Sequence, residues 1–388
     1  LMRWPSSARI FLTPEGAAPA RGARLVQADL AASLEAIAAA GPDAFYRGAI
    51  AARLVAAVGA AGGILTADDL ASYRAVERAP VRGQYRGHEV ISMPPPSSGG
   101  VHLIQLLNIL EGYPRSASGA GAAETLHLMI EAMKRAYADR AEHLGDPDFV
   151  RVPVEGLTSK RYADALRRRI DPHHAAAARD IRAGEPPARE GDNTTHYSVV
   201  DGDGNAVSNT YTLNFSYGLG LVAEGTGILL NNELDDFAAR PGAPNAFGLV
   251  GGDANAPAAG KRPLSSMSPT IVLKDGRVLL VTGSPGGSRI ITAVLQVITN
   301  VIDFHMPIAD AVTAPRLHNQ WQPEQTYAEP GFAPAVLDAL RQRGQTIVAT
   351  APHTAANSIE VTPKTDFTPQ AYIGAADTRT RGALAAGY

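Results

Sequence analysis

The chain has 388 residues, of which 19% are charged and 45% hydrophobic, and its formal net charge at pH 7 is −3. A charge so close to zero gives no electrostatic reason to expect binding to nucleic acid or to an anionic membrane. The chain contains no cysteine, which excludes disulfides, thiolate metal sites and cysteine nucleophiles, and no apolar run reaches the roughly eighteen residues of a membrane-spanning helix. We therefore expect chemistry built on hydroxyl, carboxylate and backbone groups. No HExxH or comparable spacing of metal ligands occurs in the sequence, so neither a metal nor a cofactor is expected.

Residues 25–79 are predicted to be helical. Leu30–Ala40 is alanine-rich and stops at Gly41-Pro42, a second helix is predicted over Pro42–Ala60, and Thr66–Asp69 has the pattern of a capping box. The start at Leu1 shows neither an initiator methionine nor the basic-then-apolar pattern of a signal peptide. We therefore expect the sequence to begin inside a longer protein.

The middle of the chain predicts a strand pair, two long helices and a linker. The strands fall in Gly83–Met93, and the helices cover Val101–Glu111 and Ala123–Leu144. The Ser/Gly loop before the first of these helices lacks the spacing of a phosphate-binding loop, so a structural turn is favoured. Asp171–Asn193, with two prolines and mixed charges, is typical of a linker, and His173 in it is expected to be solvated.

Residues 191–214 predict a polar segment that runs into a β-hairpin. Thr195–Val200 and Asn205–Leu213 suit strands, and the Asp/Gly residues between them suit the turn. If Val200 pairs roughly with Asn205, Thr194 lies opposite Tyr211–Thr212. A threonine freed at its own N-terminus has a hydroxyl nucleophile and an α-amine of pKa near ~8 to serve as its base. The alternative is that Thr194 merely begins an edge strand, since threonine suits strands.

Polar clusters follow the hairpin. A carboxylate-rich turn contains Glu233 and Asp236, and its spacing lacks the calcium-loop pattern. Pro241–Ala258 has the length and composition of a lid loop. The strands Pro269–Leu273 and Arg277–Thr282 are predicted next, and Gly283–Ser288 then leads into a helix over 289–304, where bare backbone N–H groups could hold an oxyanion or simply form a tight turn.

Together these groups suit an amino-acid head group as ligand. Glu233 and Asp236 could hold an ammonium, Ser265 and Ser266 a carboxylate, and Gly286 with the next glycine, Gly287, an oxyanion. A hydroxyl at position 194 would then be the attacking group.

Several motifs, in order, resemble those of the γ-glutamyltranspeptidases (glutathione hydrolases) of the N-terminal-nucleophile hydrolase superfamily. The resemblance covers essentially the whole chain and rests on these segments: MPPPSSGG (Met93–Gly100), YADRAEHLGDPDF (Tyr137–Phe149), TTHYSVVD (Thr194–Asp201), YTLN (Tyr211–Asn214), GILLNNELDDF (Gly227–Phe237), GLVGGDANA (Gly248–Ala256), KRPLSSMSPT (Lys261–Thr270) and GSPGGSRI (Gly283–Ile290).

The resemblance implies a role for each matching residue. Thr194 would cut the precursor after Asn193 through an N→O acyl shift and then serve as the nucleophile, positioned by the hydroxyl of Thr212. Asn214, Glu233 and Asp236 would grip the glutamyl α-amine, Ser265 and Ser266 the α-carboxylate, while Gly286 and Gly287 would form the oxyanion hole. Phe247 lies in the lid where bacterial relatives often carry tyrosine, and an arginine that pairs with the α-carboxylate in the family lies upstream of Leu1.

The resemblance also implies a fold and a function. We expect an α+β protein with a four-layer αββα sandwich and antiparallel central sheets, processed into residues 1–193 (the end of the large subunit) and 194–388 (the small subunit). The expected activity is cleavage of glutathione and other γ-glutamyl amides through a γ-glutamyl-threonine ester, with water, amino acids or dipeptides as acceptors, in the periplasm or outside the cell. The alternatives are a glutaryl or cephalosporin acylase, which buried acids lacking an ammonium would disfavour, and an inactive truncated remnant.

Overall fold

The computed structural model describes residues 1–114, 119–184, 195–364, 369–380 and 382–387. The chain forms two compact units, one made of Leu1–Arg78 and Leu213–Glu233, the other of Ala79–Thr212 and Leu234–Tyr388. Helices and antiparallel sheets both occur, which confirms the predicted mixture of helix and antiparallel sheet. The four-layer sandwich and the division into subunits at residue 194 stay predictions.

The first unit is mainly helical. Its helices are α1 (Pro5–Phe11), α2 (Ala28–Ala40), α3 (Pro42–Tyr46), α4 (Ala49–Ala60) and α5 (Ala67–Ser72). The predicted capping box is present at α5, where Thr66 Oγ1 accepts from the Asp69 N–H and the Asp69 carboxylate accepts from the Thr66 N–H. The single helix predicted over 42–60 is wrong, because the extended backbone of Gly48 (φ −92°, ψ −158°) interrupts it.

Helix α1 holds the second segment of this unit through buried hydroxyl groups. Ser6 Oγ donates to the carbonyl of Val222 at 2.7 Å, and Ser7 Oγ accepts from the Val222 N–H at 2.8 Å. A small core around Ile50 and Leu54 of α4 completes the unit. Residues 213–233 are therefore fixed by contacts with helices that lie far away in the sequence.

The second unit contains the sheets. Its described strands are β1 (Val81–Tyr85), β2 (His88–Ser92), β3 (Thr195–Val200), β4 (Ala206–Tyr211), β5 (Thr270–Lys274), β6 (Arg277–Thr282), β7 (Leu317–Asn319), β8 (Thr326–Ala328), β9 (Ile347–Ala349), β10 (Ser358–Thr362) and β11 (Ala371–Ala375). The main sheet is antiparallel throughout, with strand order β1-β2-β5-β6-β10-β11, while β3-β4 and β7-β8-β9 form two smaller sheets.

Helices cover one face of the main sheet. The helices of this unit are α6 (Gly99–Glu111), α7 (Ala123–His143), α8 (Val154–Leu157), α9 (Lys160–Arg167), α10 (Arg289–Ile302), α11 (Ile308–Thr313) and α12 (Pro334–Gln342). Val90, Val272 and Leu280 lie side by side across three strands, are fully buried, and belong to one core with α6, α7 and α10. Helix α10 is almost wholly buried, including its polar stripe, whose members are hydrogen-bonded: Thr292 Oγ1 lies 2.9 Å from His318 Nδ1, and Gln296 Nε2 donates to the Leu317 carbonyl at 2.9 Å.

The β3–β4 ribbon is tied to the main sheet by a polar contact. Ser208 Oγ of β4 donates to the carbonyl of Thr282 and accepts from the N–H of Thr270, both at 2.9 Å. This contact places β4 beside the ends of β5 and β6. Over the ranges given above, no helix is long and apolar enough to cross a membrane.

The predicted solvated linker is only partly solvated. His173 and its neighbour His174 are exposed, as expected, but Ala178 and Ile181 are 3% and 6% exposed. The segment also includes a short 3-10 helix, Ala178–Asp180. Its described part, up to Gly184, is therefore packed against the protein.

Candidate active site

Strand β3 begins next to the predicted cleavage position. Asn193 and Thr194 lie outside the described residues, so the first described pair of the ribbon is Thr195 with Tyr211. The ladder ends with Val200 opposite Ala206, one residue away from the predicted pairing with Asn205. Thr212 directly follows β4 and is partly exposed.

His196 of β3 is a site residue that the sequence reasoning missed. Its ring is buried, with Nδ1 at 3.0 Å from Thr210 Oγ1 and Nε2 at 3.0 Å from Ser198 Oγ. Burial lowers the pKa of His196 to about 4, so the ring is neutral at pH 7. A Cβ atom on Gly283 would lie 2.4 Å from this ring, which shows that the ring packs directly on the Gly283 backbone. The ring thus holds β3 against the glycine-rich turn.

The glycine-rich turn connects β6 to α10. Gly286 and Gly287 have φ angles of 131° and 64°, in the region that favours glycine. A Cβ atom on Gly286 would also lie 2.8 Å from Thr354 Cγ2 and 2.9 Å from the His353 carbonyl oxygen. Because the first N–H groups of a helix have no intrahelical acceptor and its dipole favours negative charge there, the turn is suited to an oxyanion.

The serine pair lies beside a buried guanidinium. Arg140 Nη2 donates to Ser266 Oγ at 3.1 Å, and Arg140 and Ser266 are 3% and 0% exposed. Ser265 is partly buried, and its Oγ accepts from the Met267 N–H at 3.0 Å. Hydroxyl donors next to a fixed positive charge are suited to a carboxylate. Arg140 is a second residue that the sequence reasoning did not single out, although it lies within one of the quoted motifs.

Helix α7 connects the serine pair to the glycine-rich turn. The Arg140 guanidinium lies 5.9 Å from the centre of the Tyr137 ring, and the Tyr137 hydroxyl donates to the carbonyl of Ser288. Ser288 follows Gly287 directly and is the N-cap of α10. Within the second unit, one turn of α7 therefore contacts both predicted binding elements.

The predicted lid residue is tied to the same network through its backbone. Ser288 Oγ donates to Gln320 Oε1 at 2.7 Å, and Gln320 Nε2 donates to the carbonyl of Phe247 at 3.1 Å. His318 Nε2 lies 2.9 Å from Gln320 Oε1, and burial lowers the pKa of His318 to about 3, so that this ring is neutral too. The Phe247 ring packs partly buried against the main core.

A small pocket, partly open to solvent, lies beside the turn and is lined by Thr354, the neighbour of Gly286. Its lining includes Arg289, whose guanidinium lies 4.6 Å from the centre of the Tyr327 ring. Arg316 lines it as well, and its Nη2 pairs with Asp377 at 2.8 Å. The pocket is thus bordered by cations that already have partners.

Asn214 belongs to the first unit and has an unusual backbone. Its φ of 72° lies in the left-handed region, which asparagine tolerates better than most residues. Its Nδ2 donates to the carbonyl of Asn232 at 3.0 Å, and Asn232 Oδ1 in turn accepts from the Phe215 N–H at 3.0 Å. These bonds bring Asn214 next to the residue that precedes Glu233.

The carboxylates of the cluster lie in a short 3-10 helix, Glu233–Asp236. Glu233 is the last residue of the first unit and is partly buried; its Oε1 is buried and has no hydrogen-bond partner among the residues that the structure describes. Burial raises the pKa of Glu233 to about 7. Asp236, in the second unit, is 2% exposed, and its carbonyl accepts from Asn255 Nδ2 at 2.7 Å.

The structure therefore links the predicted site residues in two sets. In the second unit, Ser265, Ser266, Gly286, Gly287 and Phe247 are connected through α7 and Gln320; in the first, Asn214 and Glu233 are connected through Asn232. No group of three potential metal ligands occurs in the described ranges.

Comparison with known proteins places these residues in a family. The family model "Gamma-glutamyltranspeptidase" matches residues 1–387. The glutathione hydrolase proenzyme of Escherichia coli (strain K12) is 53% identical over 374 residues, which make up 96% of this chain and 64% of that protein. The Acylase ACY 1 proenzyme of Pseudomonas sp. (strain SE83) is 42% identical over 348 residues, covering 90% of this chain and 59% of that protein.

A solved structure shares the fold of this chain. The cephalosporin acylase from Bacillus halodurans superimposes with a TM-score of 0.85 at 29% identity, covering 98% of this chain and 67% of that chain. The chain thus spans less than two thirds of the length of the curated relatives it matches.

Proposed function

The chain belongs to the γ-glutamyltranspeptidase family, and we propose that it carries the catalytic residues of a γ-glutamyl hydrolase and transferase that cuts itself between Asn193 and Thr194. The related protein of Escherichia coli is named a glutathione hydrolase proenzyme, which supports both the substrate class and the processing. The products would be a large-subunit part, residues 1–193, and a small subunit, residues 194–388, that stay together. By family resemblance we place the enzyme in the periplasm or outside the cell.

Self-cleavage would be an acyl shift followed by hydrolysis. The Thr194 hydroxyl adds to the carbonyl of Asn193, the peptide nitrogen leaves as the α-amine of Thr194, and water hydrolyses the resulting ester. The new α-amine then takes the proton of its own hydroxyl in each turnover, with Thr212 holding that hydroxyl in place.

Turnover would proceed through a covalent ester. The Thr194 oxygen attacks the γ-carbonyl of the donor, and the N–H groups of Gly286 and Gly287 stabilise the oxyanion. The leaving amine departs with a proton, which leaves a γ-glutamyl-threonine ester. Water, an amino acid or a dipeptide then accepts the glutamyl group.

The proposed substrate class rests on the burial and the pKa of Glu233. Its buried Oε1 lacks a partner among the described residues, and burial raises the pKa of Glu233 to about 7. A carboxylate in this state is stabilised by a ligand that brings a positive charge. The α-ammonium of a glutamyl group supplies that charge, whereas a glutaryl group does not.

The remaining groups would bind the rest of the head group. Ser265 and Ser266, the latter bonded to Arg140, would take the α-carboxylate. Asn214 and Asp236 would join Glu233 at the α-amine. Phe247 would cover the bound donor as part of the lid.

The test compares two chromogenic anilides that differ only in the amine. We expect purified protein to appear as fragments 1–193 and 194–388 by denaturing mass spectrometry, and to hydrolyse γ-glutamyl-p-nitroanilide much faster than glutaryl-p-nitroanilide. The Thr194→Ala variant should stay whole and inactive. A chain that stays whole and inactive without the substitution would favour the remnant interpretation instead.

A second candidate is an acylase for amine-free side chains. It is supported by the relatives named acylases and by the apolar Phe247 in the lid. Faster hydrolysis of the glutaryl anilide than of the γ-glutamyl anilide would favour the acylase function over the γ-glutamyl hydrolase function.

A further inference from the structure

The segment that leads towards the cleavage position lies along helix α7. His127 Nε2 lies 2.9 Å from the Asp171 carbonyl oxygen, and Lys134 Nζ donates to the Ala176 carbonyl at 2.9 Å. Residues at this spacing lie on one face of a helix. Helix α7 thus binds the backbone of a segment that, apart from one short 3-10 turn, has no secondary structure of its own.

The described segment ends in a second pair of hydrogen bonds to the same helix. The N–H of Gly184 donates to Asp139 Oδ1 at 2.7 Å, and His143 Nε2 donates to the Gly184 carbonyl at 2.8 Å. Asp139 is 0% exposed and His143 is 7% exposed. Both polar groups of one peptide residue are therefore held by buried side chains, one helical turn apart.

Tyr162 of α9 closes this site. Its hydroxyl donates to Asp139 Oδ2 at 2.8 Å, and Gln105 donates to the same oxygen. A Cβ atom on Gly184 would lie 1.9 Å from the Tyr162 hydroxyl oxygen, so that only glycine fits at this position. Asp139, His143 and Tyr162 are called the Gly184 clamp below.

We propose that the Gly184 clamp positions the chain for self-cleavage: its three residues fix the point from which the chain runs on to Asn193. On the other side of residues 185–194, Thr195 is fixed by pairing with Tyr211. The inference rests on the proposed function, because it presumes cleavage between Asn193 and Thr194. Asp139, His143 and Tyr162 are positioning residues, since none of them is given a part in the reaction itself.

The size of the effect follows from chain entropy. With the clamp intact, about ten residues connect two fixed points; without it, the nearest buried residue upstream is Ile181, and the connection grows to about thirteen. A loop-closure cost that scales as (3/2) ln n gives about a 1.5-fold slower approach of the reacting groups. Loss of direction at the scissile bond adds to this, so we expect self-cleavage to slow by about two- to tenfold.

The first experiment measures the rate of self-cleavage of the full chain, from the first appearance of fragment 194–388 in cell-free synthesis. We expect Gly184→Ala to slow cleavage, while Gly121→Ala, just before α7 and with no atom within 4 Å of the added methyl, should leave the rate unchanged. Asp139→Leu should slow cleavage, whereas Asp139→Asn, which keeps an oxygen acceptor for Gly184, should restore most of the rate. Glu142→Gln, an exposed acid on the same helix, is the matched control for Asp139.

A second readout separates the clamp from cleavage and from folding. In the uncleaved Thr194→Ala chain, hydrogen exchange of the Gly184 amide should be slow, and it should become fast in Asp139→Leu while exchange in α10 stays slow. Normal cleavage rates in Gly184→Ala and Asp139→Leu would overturn the positioning role. Without cleavage of the unsubstituted chain, the proposed function itself fails, and a Gly184 amide that already exchanges fast would then overturn the clamp as well.

Discussion

Glu131 in the second unit and Glu233 in the first are both carboxylates withdrawn from water, but their surroundings differ. Glu131 is 0% exposed; Lys134 Nζ lies 2.8 Å from its Oε1, and Arg135 Nη1 2.7 Å from its Oε2. Gln345 Nε2 donates to Oε1 as well, at 3.1 Å. Glu233 is only partly buried, yet its Oε1 has no partner within the described ranges.

The pKa shifts of the two acids run in opposite directions. Burial alone would raise the pKa of Glu131, but Lys134 and Arg135 outweigh it and lower the pKa below its usual value. Burial acts without opposition on Glu233 and raises its pKa to about 7. A buried charge is tolerated when the fold supplies its partners, and a buried acid without partners is typical of a place where a ligand supplies them. We therefore interpret Glu131 as structural and Glu233 as functional.

The largest effect is expected when Glu131, the acid with bonded cationic partners, loses its charge. Glu131→Gln leaves Lys134 and Arg135 buried without a counter-charge, and the loss of one partner from such a group costs about 3–5 kcal/mol of unfolding free energy. Denaturant unfolding followed by Trp321 fluorescence measures it, in a Trp4→Phe background so that only the second unit reports. Asp338→Asn, which breaks an exposed pair with Arg341, should cost less than about 1 kcal/mol. Equal small losses of unfolding free energy in both variants would contradict the interpretation of Glu131 as structural.

Glu131 also shows what the sequence alone could not predict. The alternation in Thr195–Val200, the turn that follows it and the apolar helix after Gly283–Ser288 are local patterns, and the structure confirms the predicted elements to within two residues. The partners of Glu131, by contrast, include Gln345, more than two hundred positions away. No local pattern encodes such a contact.

The same reason explains why some sequence predictions about the site and its surroundings failed. The linker prediction for Asp171–Asn193 used composition, which cannot reveal that buried side chains of α7 bind its backbone up to Gly184. His196 was missed because a neutral, fully bonded histidine in a strand has no sequence signature. The roles given to Ser265, Glu233 and the others came from the chemistry of their side chains and from motif resemblance; these roles stay predictions.

The second effect concerns Glu233, whose Oε1 has no hydrogen-bond partner among the described residues. Glu233→Gln should leave folding intact but remove the charge that binds the substrate ammonium, which is worth about 2–3 kcal/mol, or about 30- to 150-fold in kcat/KM for γ-glutamyl-p-nitroanilide. Hydrolysis of the glutaryl anilide should not fall. Asp235→Asn, at an exposed carboxylate two residues away, is the matched control and should change neither value more than about twofold. A parallel fall in kcat/KM for both anilides would show that Glu233 does not recognise the amine.

A third, smaller effect is expected at Gly283, because the His196 ring packs against its backbone. Gly283→Ala places a methyl group 2.4 Å from the His196 ring and should cost about 1–3 kcal/mol of unfolding free energy by overpacking, with slower self-cleavage because β3 is displaced. Gly202→Ala, with no atom within 4 Å of its added methyl group, should be nearly neutral. Adding His196→Ala to Gly283→Ala should relieve the clash, so the two losses should not add. Additive losses would mean that the ring and the turn are independent.

The last effect is a pH dependence that only Glu233 should produce. In the free enzyme burial raises the pKa of Glu233 to about 7, and a bound ammonium lowers it, so binding is favoured above that pH and weakens below it by up to about tenfold per pH unit, or 1.4 kcal/mol. The α-amine of Thr194 titrates as well, but it serves both anilides, so the ratio of their kcat/KM values removes its contribution. We expect this ratio to fall as the pH drops from 8 to about 5.5 in the unsubstituted protein and to stay flat in Glu233→Gln. A ratio that is already flat without the substitution would place the recognition of the amine on other residues, with Asp236 and Asn214 the next to test.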